Sequence, residues 1–251
     1  MTDKSKVAVV TGAGSGIGRA VATMLHANGY DIALAGRRRD SLEETAAQLK
    51  GSGRALVRST DVTDAVSVAE LFRETLTELG GVQLLFNNAG IAAPSVPFDE
   101  LDPAALRSVI DINVLGACNC AREAMRVMKS QERRGGRIIN NGSVSAYAPR
   151  PNSSAYTTSK HAITGLTKSI ALDGRKFGIV CGQIDIGNAV TEMSDAIGNG
   201  TLQADGAIMA EPRMAVENVA RAVLFMDSLT LDANIPFLTI MASNMPLFGR
   251  G

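Results

Sequence analysis

Three residues in NGSVSAYAPRPNSSAYTTSK can together move a proton on or off an oxygen: Ser143, Tyr156 thirteen residues later, and Lys160 four beyond that. The run AYTTSKHAITGLTKSIALDGR predicts a helix from Ser154 onward. On it, i, i+4 spacing sets Tyr156 and Lys160 on one face, a turn apart. A tyrosine phenol has an ordinary pKa near ~10 and is a poor acid or base at neutral pH. A fixed ammonium beside it stabilises the phenolate and draws that value toward the working range. A serine at the end of the preceding strand can then share a substrate oxygen with the phenol. Taken alone, such a Tyr–Lys pair is more often a solvated or snorkelling pair. The chemistry therefore depends on what else the chain brings to the same place.

The elements that must position these residues are legible as alternating apolar runs and helical stretches. Strands are expected at Val7–Thr11, Asp31–Ala35, Arg54–Ser59, Val82–Phe86, Arg137–Asn141, Phe177–Ile184 and Ile235–Met241. Between them lie helices closing near Gly29, over Asp40–Lys50 and Val66–Leu79, one long helix from Pro103 to Gln131, and the Tyr156 helix. The 186–228 segment reads as mostly helical. Apolar strands alternating with helices predict a parallel sheet covered on both faces. No linker or repeat divides residues 1–251, so the expected architecture is one α/β, doubly wound, Rossmann-type domain. In such folds ligands sit beyond the carboxyl ends of the strands. The unusual stretches all fall at those ends: TGAGSGIG, the three arginines after Gly36, Asp61, NNAG and Ser143.

Gly12, Gly16 and Gly18 stand between the first strand and the first helix. Their spacing differs from G-x-G-x-x-G, which would need glycine at Ile17. A glycine turn running into a helix N-terminus still offers close backbone approach and free N–H groups to a pyrophosphate. At the end of the second strand an acidic residue would accept from the ribose 2′-hydroxyl of NAD. Here Gly36 is followed by Arg37, Arg38 and Arg39. Guanidinium groups suit a 2′-phosphate, with Arg37 first, Arg38 second and Ser15 as a further donor, so NADP(H) is expected ahead of NAD(H). The plain alternative is that these arginines open a solvated helix, and at least one of them should.

Composition narrows the classes. The 251 residues are 45% apolar, and 25 Lys plus Arg balance 25 Asp plus Glu. That balance provides no electrostatic footprint for nucleic acid or an anionic membrane surface. Three cysteines without framework spacing argue against a disulfide-stapled secreted protein, and no metal-ligating cluster is evident. No signal peptide opens the chain and no apolar run reaches a membrane span, so a cytoplasmic location is expected.

In combination, TGAGSGIG, Asp61, NNAG, Asn113, Ser143 and Tyr156-x-x-x-Lys160 resemble the short-chain dehydrogenase/reductase family, over about three quarters of the chain. The resemblance implies that Tyr156 is the catalytic acid/base. It implies that Lys160 lowers the Tyr156 pKa and binds the nicotinamide ribose, that Ser143 orients the carbonyl or alcohol, and that Asn113 holds a water linking Lys160 to solvent. Gly12, Ser15, Gly16, Ile17 and Gly18 would form the cofactor turn. Asp61 and Val62 would flank the adenine, Asn88, Ala89 and Gly90 would support the adenosine side, and Gly187 and Thr191 would meet the nicotinamide. Members commonly assemble as homotetramers or homodimers through the two long helices.

Two departures stand out. Ile186–Gly187 replaces the family's Pro-Gly, which frees a backbone dihedral and adds an N–H. The chain ends IPFLTIMASNMPLFGRG, a tail expected to pack on a neighbouring subunit or help close the site. Asp185 reads as structural, and His26 and His161 as packing or surface residues. The substrate pocket is expected from Ile91, Pro94, Val96, Val144, Tyr147, Pro149, Met193, Ile197 and Met209, with few charges. An apolar or moderately polar ketone or alcohol fits it. The expected function is hydride transfer between NADP(H) and a carbonyl/alcohol carbon. The alternatives are another reaction on this scaffold, such as reduction of an activated double bond, or a nucleotide sensor without turnover.

Overall fold

Successive side chains of a strand point to opposite faces, and here both faces are buried. Ala8 and Val10 of β1 (Val7–Thr11) enter one core layer, whereas Val7 and Val9 enter the other. β2 (Asp31–Gly36) divides in the same way, Ile32 and Leu34 from Ala33 and Ala35. This explains why the strands read as continuous apolar runs rather than as alternating ones. In this computed structural model the described residues are 5–247, the side chains of 196 and 197 excepted.

The chain continues through α1 (Gly16–Ala27), α2 (Arg39–Ala47), β3 (Ala55–Ser59), α3 (Ala65–Leu79) and β4 (Leu84–Asn87). It then forms α4 (Pro103–Ile110), α5 (Ala117–Ser130), β5 (Gly136–Asn141), α6 (Ser154–Asp173) and β6 (Ile179–Ile186). The last elements are α7 (Asp195–Asn199), β7 (Thr201–Leu202), β8 (Ile208–Met209), α8 (Val216–Ser228) and β9 (Phe237–Ile240). The main sheet runs β3-β2-β1-β4-β5-β6-β9, and every pair in it is parallel. The strand order reverses between β1 and β4, which opens a crevice at their carboxyl ends. This is the doubly wound Rossmann-type sheet with helices on both faces.

Local chemistry sets the helix ends. Asp64 caps α3 by accepting from the Val66 N–H at 2.8 Å. Asp102 does the same for α4 ahead of Pro103.

The structure departs from the expected elements chiefly between α4 and α5, in β6 and in the segment after it. The single helix over 103–131 contains a π-helical stretch, Asp111–Gly116, between α4 and α5. β6 starts after Gly178, whose φ of 66° ends a turn of 3-10 helix holding Phe177, and it runs on to Ile186. With isoleucine where the family has proline, Ile186 stays in register with Ile240, and the Gly187 N–H donates to the Ile240 carbonyl at 2.8 Å. The 186–228 segment, expected as mostly helical, is helical in a 3-10 turn, α7 and α8, and carries the antiparallel β7–β8 hairpin between α7 and α8. Its local hydrophobic pattern is too short to distinguish a two-residue ladder from a helical turn. Among the described residues, no helix is long and apolar enough to cross a membrane.

Candidate active site

Three strand ends are stapled by side-chain amides and a hydroxyl. The Thr11 hydroxyl accepts from the backbone N–H groups of Asn88 and Ala89 at 2.8 and 2.9 Å. Asn88 Nδ2 donates to the Thr11 carbonyl at 2.9 Å, and Asn141 Nδ2 donates to Asn88 Oδ1 at 2.7 Å. The NNAG stretch thus bears on the glycine turn so closely that two glycines are obligatory. Gly12 has φ 65° and faces Asn88 and Ala89, and a Cβ on Gly18 would strike the Gly12 carbonyl and Asn88 Nδ2. Gly18 therefore lies beneath the turn rather than on the cavity wall, a packing role.

The cavity over these strand ends measures about 1000 Å³. Gly12, Ser15, Gly16, Ile17, Arg37, Arg38, Asp61, Val62, Asn88, Ala89 and Gly90 line it at one end. Asn113, Ser143, Tyr156, Lys160, Gly187 and Thr191 line it as well. Gly16 approaches Thr191 so closely that an added Cβ would sit 3.2 Å from its methyl group. The glycine turn and the loop after β6 are therefore two sides of one chamber.

Ser15 occupies the N-cap of α1 and makes no capping bond with its side chain, so its hydroxyl is left for a ligand. No acidic residue occupies the first turn of α1. That helix end suits an anion. The three arginines sort themselves. Arg39 pairs with Glu43 at 2.8 Å along α2, which is the solvated-helix role. Arg37 and Arg38 line the cavity, and no carboxylate side chain pairs with them among the described residues. Asp61 is held below the usual carboxylate range by the Thr63 N–H and hydroxyl, with a further contribution from the Arg37 charge. A dinucleotide fits these groups, with the turn N–H groups available to a pyrophosphate.

At the other end, Lys160 Nζ donates to the Asn141 carbonyl at 2.8 Å and lies 5.4 Å from the Tyr156 ring centroid. Ser143 Oγ accepts from the Ser145 N–H at 3.1 Å, which leaves its own proton free to donate. The Ser143 N–H donates to Asp185 Oδ1 at 3.1 Å, and Gln183 Nε2 donates to the same oxygen at 2.7 Å. Burial pushes the Asp185 carboxyl up, against the lowering by Gln183, the Ser143 N–H and the Lys160 charge. Asp185 is a brace for the serine loop, as its structural reading expected.

The Asn113 side chain is committed to the backbone of Ile91, accepting at 2.8 Å and donating at 3.0 Å, and also donates to Ser159 Oγ. It lies in the π-helical stretch and pins the loop after β4 to α6. His26 bridges Gly51 N–H and the Gly53 carbonyl from a buried position, and His161 is exposed. Neither belongs to the site.

The substrate wall differs from its expectation. Ile91, Val144 and Met193 line the cavity, whereas Pro94, Val96, Tyr147, Pro149 and Met209 do not. Tyr147 turns instead to Thr239 Oγ1 at 2.9 Å, and Met209 is exposed on the hairpin. The side chain of Ile197 lies outside the described residues. Arg150 and Glu192 also line the chamber. Arg150 Nη2 donates to Glu211 Oε2 at 2.5 Å and to Asn188 Oδ1 at 2.8 Å. Asn188 Nδ2 and Gln203 Nε2 also donate to Glu211, at 2.7 and 3.0 Å. Burial alone would push the Glu211 carboxyl up, but these hydrogen bonds and the Arg150 charge outweigh it and hold it at about 2. Arg150 stands in a loop before the helix and Glu211 in a segment without periodicity, so no local signal announces the pair.

The described tail packs on its own chain, behind the β6 loop. Met241 and Met245 crowd Gly187, and the Asn188 N–H points at Met245 Sδ at 3.3 Å. Residues 248–251 of the tail lie outside the described residues.

Comparison with known proteins agrees with this geometry. The short chain dehydrogenase family matches over residues 6–201. A cis-4-hydroxycyclohexanecarboxylate dehydrogenase of Sinomonas cyclohexanicum is 36% identical over 225 residues, covering 89% of each chain. A 3alpha-hydroxysteroid dehydrogenase of Mediterraneibacter gnavus is 31% identical over 229 residues, covering 90% of each. An alcohol dehydrogenase of Thermococcus sibiricus, solved with 5-hydroxy-NADP, superposes with a TM-score of 0.84 at 24% identity over 97% of this chain and 99% of that one. Levodione reductase superposes with a TM-score of 0.82 at 25% identity over 94% and 95%. With the family matched over most of its length and the sheet, turn and strand-end chamber in place, the chain belongs to the short-chain dehydrogenase/reductase family of oxidoreductases.

Proposed function

We propose that the protein is an NADP(H)-dependent oxidoreductase interconverting a secondary alcohol and a ketone, with Tyr156 as acid/base. The observation that carries this reading is the single chamber shared by Ser143, Tyr156 and Lys160 and by Arg37, Arg38 and the glycine turn. A bound nicotinamide dinucleotide supplies or accepts the hydride. Tyr156 gives its phenolic proton to the substrate oxygen in reduction and takes it back in oxidation. Ser143 donates to the same oxygen as charge develops on it. Lys160, held by the Asn141 carbonyl beside the phenol, supports Tyr156 and binds the nicotinamide ribose in this reading. Asn113 holds the Ile91 loop over the chamber, and the water relay through its helix is part of the proposal. Thr191 and Gly187 meet the carboxamide end.

NADP(H) over NAD(H) rests on the absence of a carboxylate at Gly36 and on the uncommitted Arg37 and Arg38. Relatives named for a hydroxycyclohexanecarboxylate and a hydroxysteroid favour alicyclic alcohols and ketones as substrates. The three cysteines are free, in keeping with a cytoplasmic enzyme. Exposed Leu115 and Leu172 on the long helical elements support assembly as a homodimer or homotetramer. Following NADPH and NADH absorbance with cyclic ketones, linear ketones and aldehydes tests the reading. No turnover with any of them, despite cofactor binding, would favour a sensor.

A further inference from the structure

We propose that Arg150 determines specificity by donating from Nη1 to a neutral oxygen, a carbonyl or hydroxyl, carried by the substrate away from its reacting carbon. The proposal rests on the chamber being the substrate site described above. It adds the substrate class: an oxygenated alicyclic ketone or alcohol rather than a plain one.

The guanidinium is unusually constrained for a residue on a loop. Nε and Nη2 donate to the two oxygens of Glu211, at 3.3 and 2.5 Å, and Nη2 also reaches Asn188. The loop beneath it is tied to α6, because Ser153 Oγ donates to the Arg150 carbonyl at 2.6 Å. Nη1 alone has no partner among the described residues, and it is not sealed in the interior. Arg150 and Asn188 both line the chamber that holds Ser143 and Tyr156. A donor already locked by its neighbours loses little freedom when a ligand oxygen meets it.

The same neighbours decide which oxygen. Glu211 cancels the Arg150 charge, and Glu192 also lines the chamber. With the Arg150 charge cancelled, a substrate carboxylate would meet the like charge of Glu192 without a free cation to offset it. A carbonyl or hydroxyl oxygen accepts from Nη1 with no such opposition.

Calorimetric titration of the full-length protein saturated with NADP⁺, or with NAD⁺ if that binds tighter, tests this without requiring turnover. The ligands are cyclohexanone, the 1,2- and 1,4-cyclohexanediones, which stay neutral where the 1,3-isomer ionises, and 4-oxocyclohexanecarboxylate. At least one dione is expected to bind about tenfold tighter than cyclohexanone, and the carboxylate no tighter than cyclohexanone. Arg150→Met should narrow that gap to about twofold or less. Arg150→Lys keeps a cation for Glu211 but lacks the second arm, so it should lose the gap while keeping a near-native thermal midpoint. Glu211→Gln unmasks the guanidinium charge and should make the carboxylate the tighter ligand. A native protein without dione preference, a gap that survives Arg150→Lys, or native preference for the carboxylate overturns the proposal. Absence of NADPH consumption with every ketone would instead defeat the proposed function and leave this binding order standing.

Discussion

The Lys160 ammonium donates to the backbone carbonyl of Asn141 at 2.8 Å. Asn141 ends β5 and lies two residues before Ser143, so one strand end holds both the cation and the hydroxyl. Through its side chain Asn141 is bound to Asn88, and Asn88 to Thr11. Lys160, the Ser143 loop and the glycine turn therefore share one hydrogen-bonded frame, the condition that the proposed catalysis would need.

Tyr156→Phe removes the transferable proton and leaves the ring. Turnover should fall by about 10²–10⁴-fold or more, while NADPH affinity, read by nucleotide fluorescence, changes by no more than about threefold. Retained turnover would reassign the acid/base.

Arg37→Ala and Arg38→Ala should each weaken NADPH more than NADH. A charge-assisted hydrogen bond contributes about 1.5–3 kcal/mol, so the NADPH/NADH ratio of kcat/KM should drop about 10- to 100-fold, with the larger drop for Arg37. Equal loss for both nucleotides would show that the two side chains do not read the extra phosphate.

Glu211 makes a pH-dependent contribution to stability. Its carboxyl lies at about 2 in the folded chain against an ordinary 4.5, so the charged form is the one favoured by folding. That contribution is fully present above pH 4.5 and is lost as the pH falls toward 2. The thermal midpoint of the native protein should exceed that of Glu211→Gln at neutral pH, and the difference should shrink on acidification below the ordinary value. A difference that stays constant down to strongly acid conditions would show that the ion pair is not its source.

At the opposite ends of the strands, buried Asp227 accepts from the Tyr30 phenol at 2.5 Å and from Lys6 Nζ at 3.0 Å, and Arg137 Nε lies 3.6 Å away. Burial first, then the Asp227 charge, pushes the Tyr30 phenol far up, so it stays a donor. Asp227→Ala strands the Arg137 cation in the core and should cost about 3–5 kcal/mol in urea unfolding. Turnover per folded molecule should be unchanged, because the cluster is remote from the chamber. An undiminished stability would mean that the carbonyl oxygens around Arg137 suffice to hold its charge.

The amino-acid sequence by itself determined the sheet, the glycine turn, and the Ser143, Tyr156 and Lys160 set. Each is encoded within one short window: VAVVT as a two-sided buried strand, TGAGSGIG as its turn, and Tyr156 with Lys160 on successive turns of a helix. Only the tertiary structure decided that Gly18 packs beneath the turn and that residues 201–209 form a hairpin. It alone joined Arg150 to Glu211, partners 61 residues apart, and folded the described tail behind Gly187. Those choices depend on contacts between loops that have no period to read, where the fit of one irregular segment on another selects the geometry.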